Sequence, residues 1–478
     1  MLPTISTGNV ASALAGEYEV ANSLRFSVSD DSLSKTYSSS GNTKTWTLST
    51  WIKRSNLDTS QNQKIFGTNY ASLSEFMVIF NNSGTDEDKI NILNYTGGGG
   101  AIQANATTAR VFRDPSAWFN LIIALDTTQS SESDRLKVYI NGSLATLSGT
   151  IPSQNADLRW NNSSHTLYIG EGGSQAVSNF QGYQCETVFV DGTALDQNSF
   201  GEFDSDSPTI WKPKDVSGLS LGSNGFYLDY EDSSNLGNDV SGSNNWTVNQ
   251  LTATDQSTDT CTNNFSVLNN LIQSSATYSD GNLTVAISSN KSLMSTIGVS
   301  SGKFYFETKI NTKGSTYLGF CSERNTGANF SSYRPLTESA LVNTTGNVYD
   351  AGGNTGIDSL PSIADDDIIG CALDVDNKKF WWSKNGQWYS ANASSDSTIN
   401  ISDVEAGNNG YDFSSWTGQF VFASFGASTN ANNISVNFGS PSYSVSSPNS
   451  DANGYGAFSY TVPTNFYAIN SKNLAEFG

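Results

Sequence analysis

Histidine is almost absent from this chain: His165 is the single copy in 478 residues. That excludes a metal centre built from clustered imidazoles. A Ser-His-Asp arrangement would have to use His165, and no Gly-x-Ser-x-Gly turn supports one. His165 follows Asn161-Asn162-Ser163-Ser164 and is expected in a surface loop before a strand. The four cysteines, Cys185, Cys261, Cys321 and Cys371, show no zinc-type spacing. Cys321 and Cys371 lie inside apolar runs and are expected as buried thiols. No run of about 20 apolar residues occurs, so no membrane insertion is expected. The opening Met1-Leu2-Pro3-Thr4-Ile5 lacks a basic segment followed by an apolar one, so no signal peptide is expected. Charge is scarce at 14%, and 24 basic residues face 45 acidic ones, a net charge of −21. That shortage of Lys and Arg argues against nucleic acid as a partner, because phosphates need cations. It argues equally against anionic membrane surfaces, and it keeps a concentrated or assembled protein soluble.

What the chain has in quantity is Gly, Ser, Asn and Thr, together with 25 Phe, 20 Tyr and 10 Trp. A polar, weakly charged chain with many aromatics reads as all-β with numerous turns, the rings supplying the core. Its length suits two or three domains. Strand candidates recur at short spacing over 46–53, 76–80, 90–95, 118–125, 136–140, 167–170 and 180–190. In the first, Trp46, Leu48 and Thr50 share one face and Thr47, Ser49 and Trp51 the other. Asn141-Gly142 and Asp191-Gly192 supply turns. One further strand is expected at 225–230 within a segment, 204–275, that otherwise reads as extended and loop-rich. A second series begins at 302–310 and continues at 317–321, 368–374, 380–384, 420–426 and 434–439. No amphipathic helix longer than about two turns is expected.

The stretch Ile369-Gly370-Cys371-Ala372-Leu373-Asp374, with Phe380-Trp381-Trp382 and Asn385-Gly386, reads as a buried strand, a turn, a second strand and a second turn. Phe380 and Trp382 fall on one face and Trp381 on the other. This pattern, with 302–307, Gly319 and 423–439, resembles SPRY domains, which are β-sandwiches that bind partners. Residues 22–200 resemble a laminin-G-like jelly roll of the concanavalin A type. The matching pieces are Trp46 with Trp51-Ile52, Trp118-x-x-Leu121-Ile122, Val138-Tyr139-Ile140-Asn141-Gly142, Ile169-Gly170 and Phe180-x-Gly182-x-x-x-Glu186. Cys185 stands where that family usually places an acidic residue before the Glu. The combination is similar to structural proteins of tailed bacteriophages, through Met-Leu-Pro, Asn22 to Phe26, Val111-Phe112-Arg113-Asp114-Pro115-Ser116-Ala117-Trp118, Asp191-Gly192-x-Ala194-Leu195, Ser199-Phe200-Gly201, and the phrase from Val462-Pro463 to Asn473-Leu474. That resemblance implies a virion component assembled in the host cytoplasm.

Catalysis finds little footing. Glycosidases on concanavalin-type folds need a carboxylate pair. Glu132-Ser133-Asp134 is the nearest approach and reads as an exposed turn, while Glu307 is alone on its strand. The acidic clusters 86–88, 204–206 and 365–367 lack the Ca²⁺-loop pattern. The net charge permits Ca²⁺ binding without requiring it, and no cofactor is implied. Glycan binding would instead use exposed aromatics. Candidate binding residues are Tyr333 and Arg334, Trp381, Trp416, and Phe425, which with Gly426 matches the place where some SPRY domains present a Trp-Gly pair to a peptide.

The expected fold class is all-β: two concanavalin A-like jelly-roll sandwiches joined by an extended linker. The expected divisions are an arm at 1–20, a laminin-G-like sandwich at 21–203, a linker with one added strand at 204–275, a SPRY-like sandwich at 276–440 and a polar tail at 441–478. The expected role is a homo-oligomeric, non-enzymatic phage virion protein of the tail or fibre. Its partners would be other virion proteins and a host-surface glycan or protein. The alternatives are a purely structural virion protein, as head decoration or tail joint, and a glycan-degrading enzyme.

Overall fold

The computed structural model describes residues 18–27, 31–57, 60–69, 74–97, 101–171, 177–429 and 431–478. Most of the arm expected at 1–20 lies outside these residues. The chain forms two compact units, divided between Thr262 and Asn263.

In the first unit two sheets face each other. One runs in the order Ser143–Leu144, Leu136–Ile140, Phe119–Asp126, Thr45–Arg54, Gly182–Asp191, Ser23–Phe26, Gln256–Ser257, with Phe226–Leu228 also on Gly182–Asp191. The other runs Leu147–Thr150, Ala101–Val111, Lys89–Thr96, Glu75–Phe80, Asn62–Thr68, Leu167–Ile169, Ser32–Lys35, Thr247–Asn249, with Val177–Asn179 parallel to Asn62–Thr68. Alternation decides the core. Trp46, Leu48 and Ile52 point between the sheets with Phe76, Val78, Phe80, Ile90 and Ile92, while Trp51 joins a separate cluster on the opposite face. Asn141 and Gly142, at φ 48° and 73°, close the Leu136–Ile140 hairpin with the double positive φ that such two-residue turns require. A Cβ on Gly142 would lie 2.3 Å from the Trp211 ring, so glycine also permits that close approach.

The segment expected as a linker is part of this sandwich as far as Thr262. It supplies Phe226–Leu228, Thr247–Asn249 and Gln256–Ser257 to the two sheets, and Trp211–Pro213, which pairs with Gly201–Phe203 in a separate two-stranded sheet. Phe226, Leu228, Tyr230, Leu236, Trp246 and Leu251 enter the core. The strand expected at 225–230 is there as Phe226–Leu228, but loops rich in Ser, Asn and Gly separate the other apolar residues, so periodicity does not mark them as strands.

The second unit has a ten-stranded and a six-stranded sheet. The larger is ordered Thr277–Ser279, Thr284–Ala286, Asn433–Asn437, Lys303–Thr312, Ile368–Asp374, Lys379–Lys384, Gln387–Tyr389, Thr398–Ile399, with Tyr411–Asp412 on Lys379–Lys384. The smaller is ordered Lys291–Val299, Val421–Ala427, Thr316–Ser322, Ser339–Asn343, Asn347–Asp350, Gly353–Asp358. In the central hairpin Leu373 pairs with Phe380 and Cys371 with Trp382, and Phe380 and Trp382 point into the core. Asn385 and Gly386, at φ 50° and 81°, make the closing turn.

The residues expected as a polar tail fold back onto this unit. Tyr467–Ala468 pairs in parallel with Lys303–Thr312, and the helix Ser471–Phe477 follows. Phe458 and Phe466 cover the outer face of the ten-stranded sheet, packing with Tyr305, Trp381, Trp388 and Val404. Glu307 anchors the fold-back: its carboxylate accepts from the Ser459 and Tyr460 amides at 2.8 and 2.9 Å and from the Tyr305 hydroxyl. Burial pushes this carboxyl above its ordinary pKa, and these donors oppose the shift.

Candidate functional site

The outer face of the nine-stranded sheet carries an open polar cleft of about 370 Å³. Along Lys89–Thr96, Ile90 and Ile92 enter the core, so Asn91, Leu93 and Tyr95 are set outward. Along Ala101–Val111, Ala106 points inward and Asn105 and Thr107 outward. Asn62, Asn81, Asn82, Ser83, Asp86, Asn91, Asn105, Thr107, Ser148 and Gly149 line the cleft. The Asn91 amide nitrogen donates to the Asn105 oxygen at 3.1 Å, and the Asn91 oxygen has no hydrogen-bond partner. Among the described lining residues Asp86 is the one carboxylate, and Lys89 holds it at 2.9 Å. On the same sheet face Met77, Ile79 and Leu93 pack with Tyr95. Amides that both donate and accept suit a ligand with many hydroxyls.

A second constellation lies on the outer face of the six-stranded sheet. Leu318 and Phe320 enter the core, so Tyr317 points outward, as does Tyr349 beside core Val348. The chain after the Gly327–Phe330 turn crosses this face and sets Tyr333 against Tyr317, centroids 4.6 Å apart, and at 6.2 Å from Tyr349. The Arg334 guanidinium lies 4.8 Å from the Tyr333 centroid, and its Nε donates to the Asp350 carbonyl at 2.6 Å. A Cβ on Gly426 would meet the Tyr333 carbonyl at 2.0 Å, so the crossing depends on glycine there. Exposed Leu336 follows in the same segment.

Of the expected binding residues, the structure brings Tyr333 and Arg334 together and removes two others from the surface. Trp381 is fully buried, with its indole N–H donating to the Asn408 carbonyl at 2.6 Å and Phe466 edge-on at 6.3 Å. The sheet face assigned to it is right, but the folded-back C-terminal segment covers that face. Phe425 is also fully buried, because 421, 423, 425 and 427 are the inward positions of its strand. It is Gly426 that turns outward. Trp416 is partly buried against Phe413, at 5.0 Å, and Phe380, at 6.1 Å, apart from the tyrosine cluster.

Other expectations resolve as architecture. His165 is buried rather than on the surface, its Nδ1 unpartnered, and burial with nearby Arg159 lowers its pKa. Asp88, at φ 60°, holds Arg54 at 2.8 Å and Arg113 at 2.7 Å. Asp204 caps its own loop through the Asp206 and Ser207 amides, and Asp367 pairs with Lys384 at 2.9 Å. Glu132 and Asp134 sit in an exposed 3-10 turn, with Asp134 bound to Lys137. Among the described residues no group of three or more His, Cys, Asp or Glu could hold a metal ion.

One carboxyl in the first unit stands out. Glu186 lies at the bulge of Gly182–Asp191 with φ 52°. Its Oε2 accepts from the Tyr18 and Tyr227 hydroxyls at 2.9 and 2.8 Å. Burial, aided by Asp229 and Glu231, pushes its pKa up to about 7, and the two hydroxyls oppose that shift. Both tyrosines are pushed above their usual range by burial and by this carboxylate. Sequence reading missed the amide cleft, since an asparagine-rich chain hides ten lining positions among many. The available signal was the alternation of Asn91, Leu93 and Tyr95 with buried isoleucines.

Comparison with known proteins agrees with the two sandwiches. Residues 28–198 match the family model described as the concanavalin A-like lectin/glucanases superfamily, and residues 303–441 match the SPRY domain. Among solved structures, the SPRY domain of human HERC1 is 16% identical, with a TM-score of 0.24, over 32% of this chain and 87% of that one. A putative carbohydrate binding protein from Bacteroides ovatus is 16% identical, with a TM-score of 0.36, over 50% of this chain and 63% of that one. A heptameric SAP-like pentraxin from Limulus polyphemus is 12% identical, with a TM-score of 0.25, over 37% and 80%. The two family matches identify this chain as a concanavalin A-like (laminin G) domain followed by a SPRY domain.

Proposed function

We propose that this chain is a non-enzymatic binding component of a tailed-phage virion, in the tail or fibre, that contacts a host-surface glycan. The observation that carries the glycan reading is the open, amide-lined cleft from Asn62 to Gly149. Sugar hydroxyls would exchange hydrogen bonds with Asn91 and Asn105. A neutral glycan fits best, because Asp86, the carboxylate among the described lining residues, is already paired with Lys89. That pairing also favours binding over hydrolysis, which places two carboxyl groups across the scissile bond. The virion setting rests on the resemblance of the sequence phrases named above to those of phage structural proteins. The Tyr333–Arg334 surface would take a protein neighbour, since aromatic and Arg side chains dominate interface cores. Copies in a symmetric particle would add weak contacts through avidity.

The test is adsorption of the labelled full chain to host cells, with whole phage as competitor. Saturable binding that blocks phage adsorption is expected, with about tenfold weaker binding for Asn91→Ala/Asn105→Ala. A folded chain that does not bind at micromolar concentration would overturn the receptor role and favour a purely structural one. Release of reducing sugar from host glycans would overturn the non-enzymatic reading.

A further inference from the structure

Two thiols of the first unit lie in contact outside both constellations. Cys185 is fully buried at the bulge of Gly182–Asp191. Cys261 is partly exposed, 76 residues further on. Their sulfurs are 3.6 Å apart, the Cys185 thiol donating. The turn that carries Cys261 is pinned on both sides. Asp259 binds Lys53 at 2.7 Å and the Trp118 indole N–H at 3.0 Å. The Thr262 hydroxyl accepts from the Val20 amide at 3.1 Å. Trp51, Trp211 and Val20 pack around the pair. The other two cysteines are unlike this. Cys321 faces Ser339 and Phe422 on its neighbouring strands, and Cys371 faces Phe306 and Trp382.

We propose that Cys185 and Cys261 form a dithiol site that a low-molecular-weight disulfide such as glutathione disulfide oxidises to an intramolecular disulfide. The Cys261 thiolate attacks one sulfur of glutathione disulfide, forming a mixed disulfide and releasing one glutathione thiolate. Cys185 gives its proton to solvent and attacks the Cys261 sulfur, expelling the second glutathione. Two protein thiols are oxidised and one glutathione disulfide is reduced to two glutathiones. Burial, the neighbouring thiol and Glu186 hold the Cys261 thiol well above its ordinary pKa, so exchange is slow compared with an exposed cysteine. The closed loop contains Trp211–Pro213, Phe226–Leu228, Thr247–Asn249 and Gln256–Ser257, so the staple locks the whole added segment onto the sandwich. Closure on leaving the reducing host cytoplasm rests on the virion reading; the chemistry does not.

The experiment incubates the full chain with glutathione disulfide or with dithiothreitol, followed by non-reducing peptide mapping and thermal unfolding. A Cys185–Cys261 cross-linked peptide is expected. The first unit's unfolding midpoint should rise by on the order of 5–10 °C, reversibly on reduction. Cys261→Ser should show neither effect, and Cys321 and Cys371 should remain free thiols in both states. Accumulation of glutathione on Cys261 without the cross-link would overturn the proposal. So would full recovery of both free thiols after prolonged oxidation, or a cross-link that leaves the midpoint unchanged. None of these readouts depends on glycan or cell binding, so the two proposals stand or fall separately.

Discussion

The two units carry the same kind of sheet and treat its outer face in opposite ways. In the SPRY unit the outer face of the ten-stranded sheet is aromatic, with Tyr305, Trp381 and Trp388, and later chain returns to bury it under Phe458 and Phe466. In the concanavalin A-like unit the outer face of the nine-stranded sheet keeps an amide-lined cleft open beside a small apolar cluster. Alternation sets which residues face outward in both sheets. Whether an outward residue meets water depends on where chain dozens of residues away ends up. A tryptophan on an outer strand face is therefore weak grounds for a ligand platform, and a row of asparagines on such a face is a better one when nothing folds over it.

The covered face gives the largest expected effect. Trp381→Ala removes the indole from Phe466 and from the Asn408 carbonyl. It should cost about 3–5 kcal/mol in urea unfolding of the full chain. A loss below about 1 kcal/mol would show that this face is open after all.

The nine-stranded face also hides a charge pair. Lys64 and Glu75 meet at 2.6 Å, with side chains 1% and 2% exposed. Lys64→Met takes the cation away from a buried carboxylate and should destabilise by about 3 kcal/mol or more, with Lys64→Met/Glu75→Leu recovering most of it. If the single and double variants are equally unstable, packing rather than charge holds this part of the face.

A third test concerns the covered side of the other sheet in the same unit. The Glu186 carboxyl is protonated in the folded chain up to about pH 7, whereas in the unfolded chain it ionises near its ordinary value. Between those two values the native state binds the extra proton, so stability falls as pH rises and levels off above about 7. The total fall is at most about 3 kcal/mol. Glu186→Gln should flatten this part of the stability profile from chemical denaturation and be more stable than the parent at pH 8. A parent and variant with parallel profiles would place the ionisation elsewhere.

The smallest stability effect belongs to the open cleft. Asn105→Ala should change unfolding free energy by about 1 kcal/mol or less while weakening glycan binding about threefold. A large loss of stability with unchanged binding would make the amides structural and the cleft idle.

Much of the fold was legible from alternation and turn chemistry. The strands at 45–54, 75–80 and 368–384, and the turns at Asn141-Gly142 and Asn385-Gly386, follow from a period of two and from residues that accept positive φ. Apart from the strand at 225–230, the segments at 204–262 and 441–478 were not legible, because their apolar residues are isolated among Ser, Asn and Gly and acquire meaning only on contact with a finished sheet. Leu236 and Trp246 show this in the first unit, and Phe458 and Phe466 in the second. The site divided along the same line. Tyr333 and Arg334 were visible as a loop pair, but their stacking on Tyr317 and Tyr349 depends on a crossing over Gly426 that no local pattern announces.

By itself the sequence determined the all-β class, the two-sandwich plan, the inward and outward faces of the main strands, and the poverty of histidine and basic charge. These are local properties, set by side-chain period, turn preference and composition. Tertiary structure alone decided that Trp381 and Phe425 are core, that Asn91 and Asn105 share a cleft, and that Cys185 touches Cys261 across 76 residues. Such contacts join strands distant in sequence, and only the completed sheet order brings them within reach.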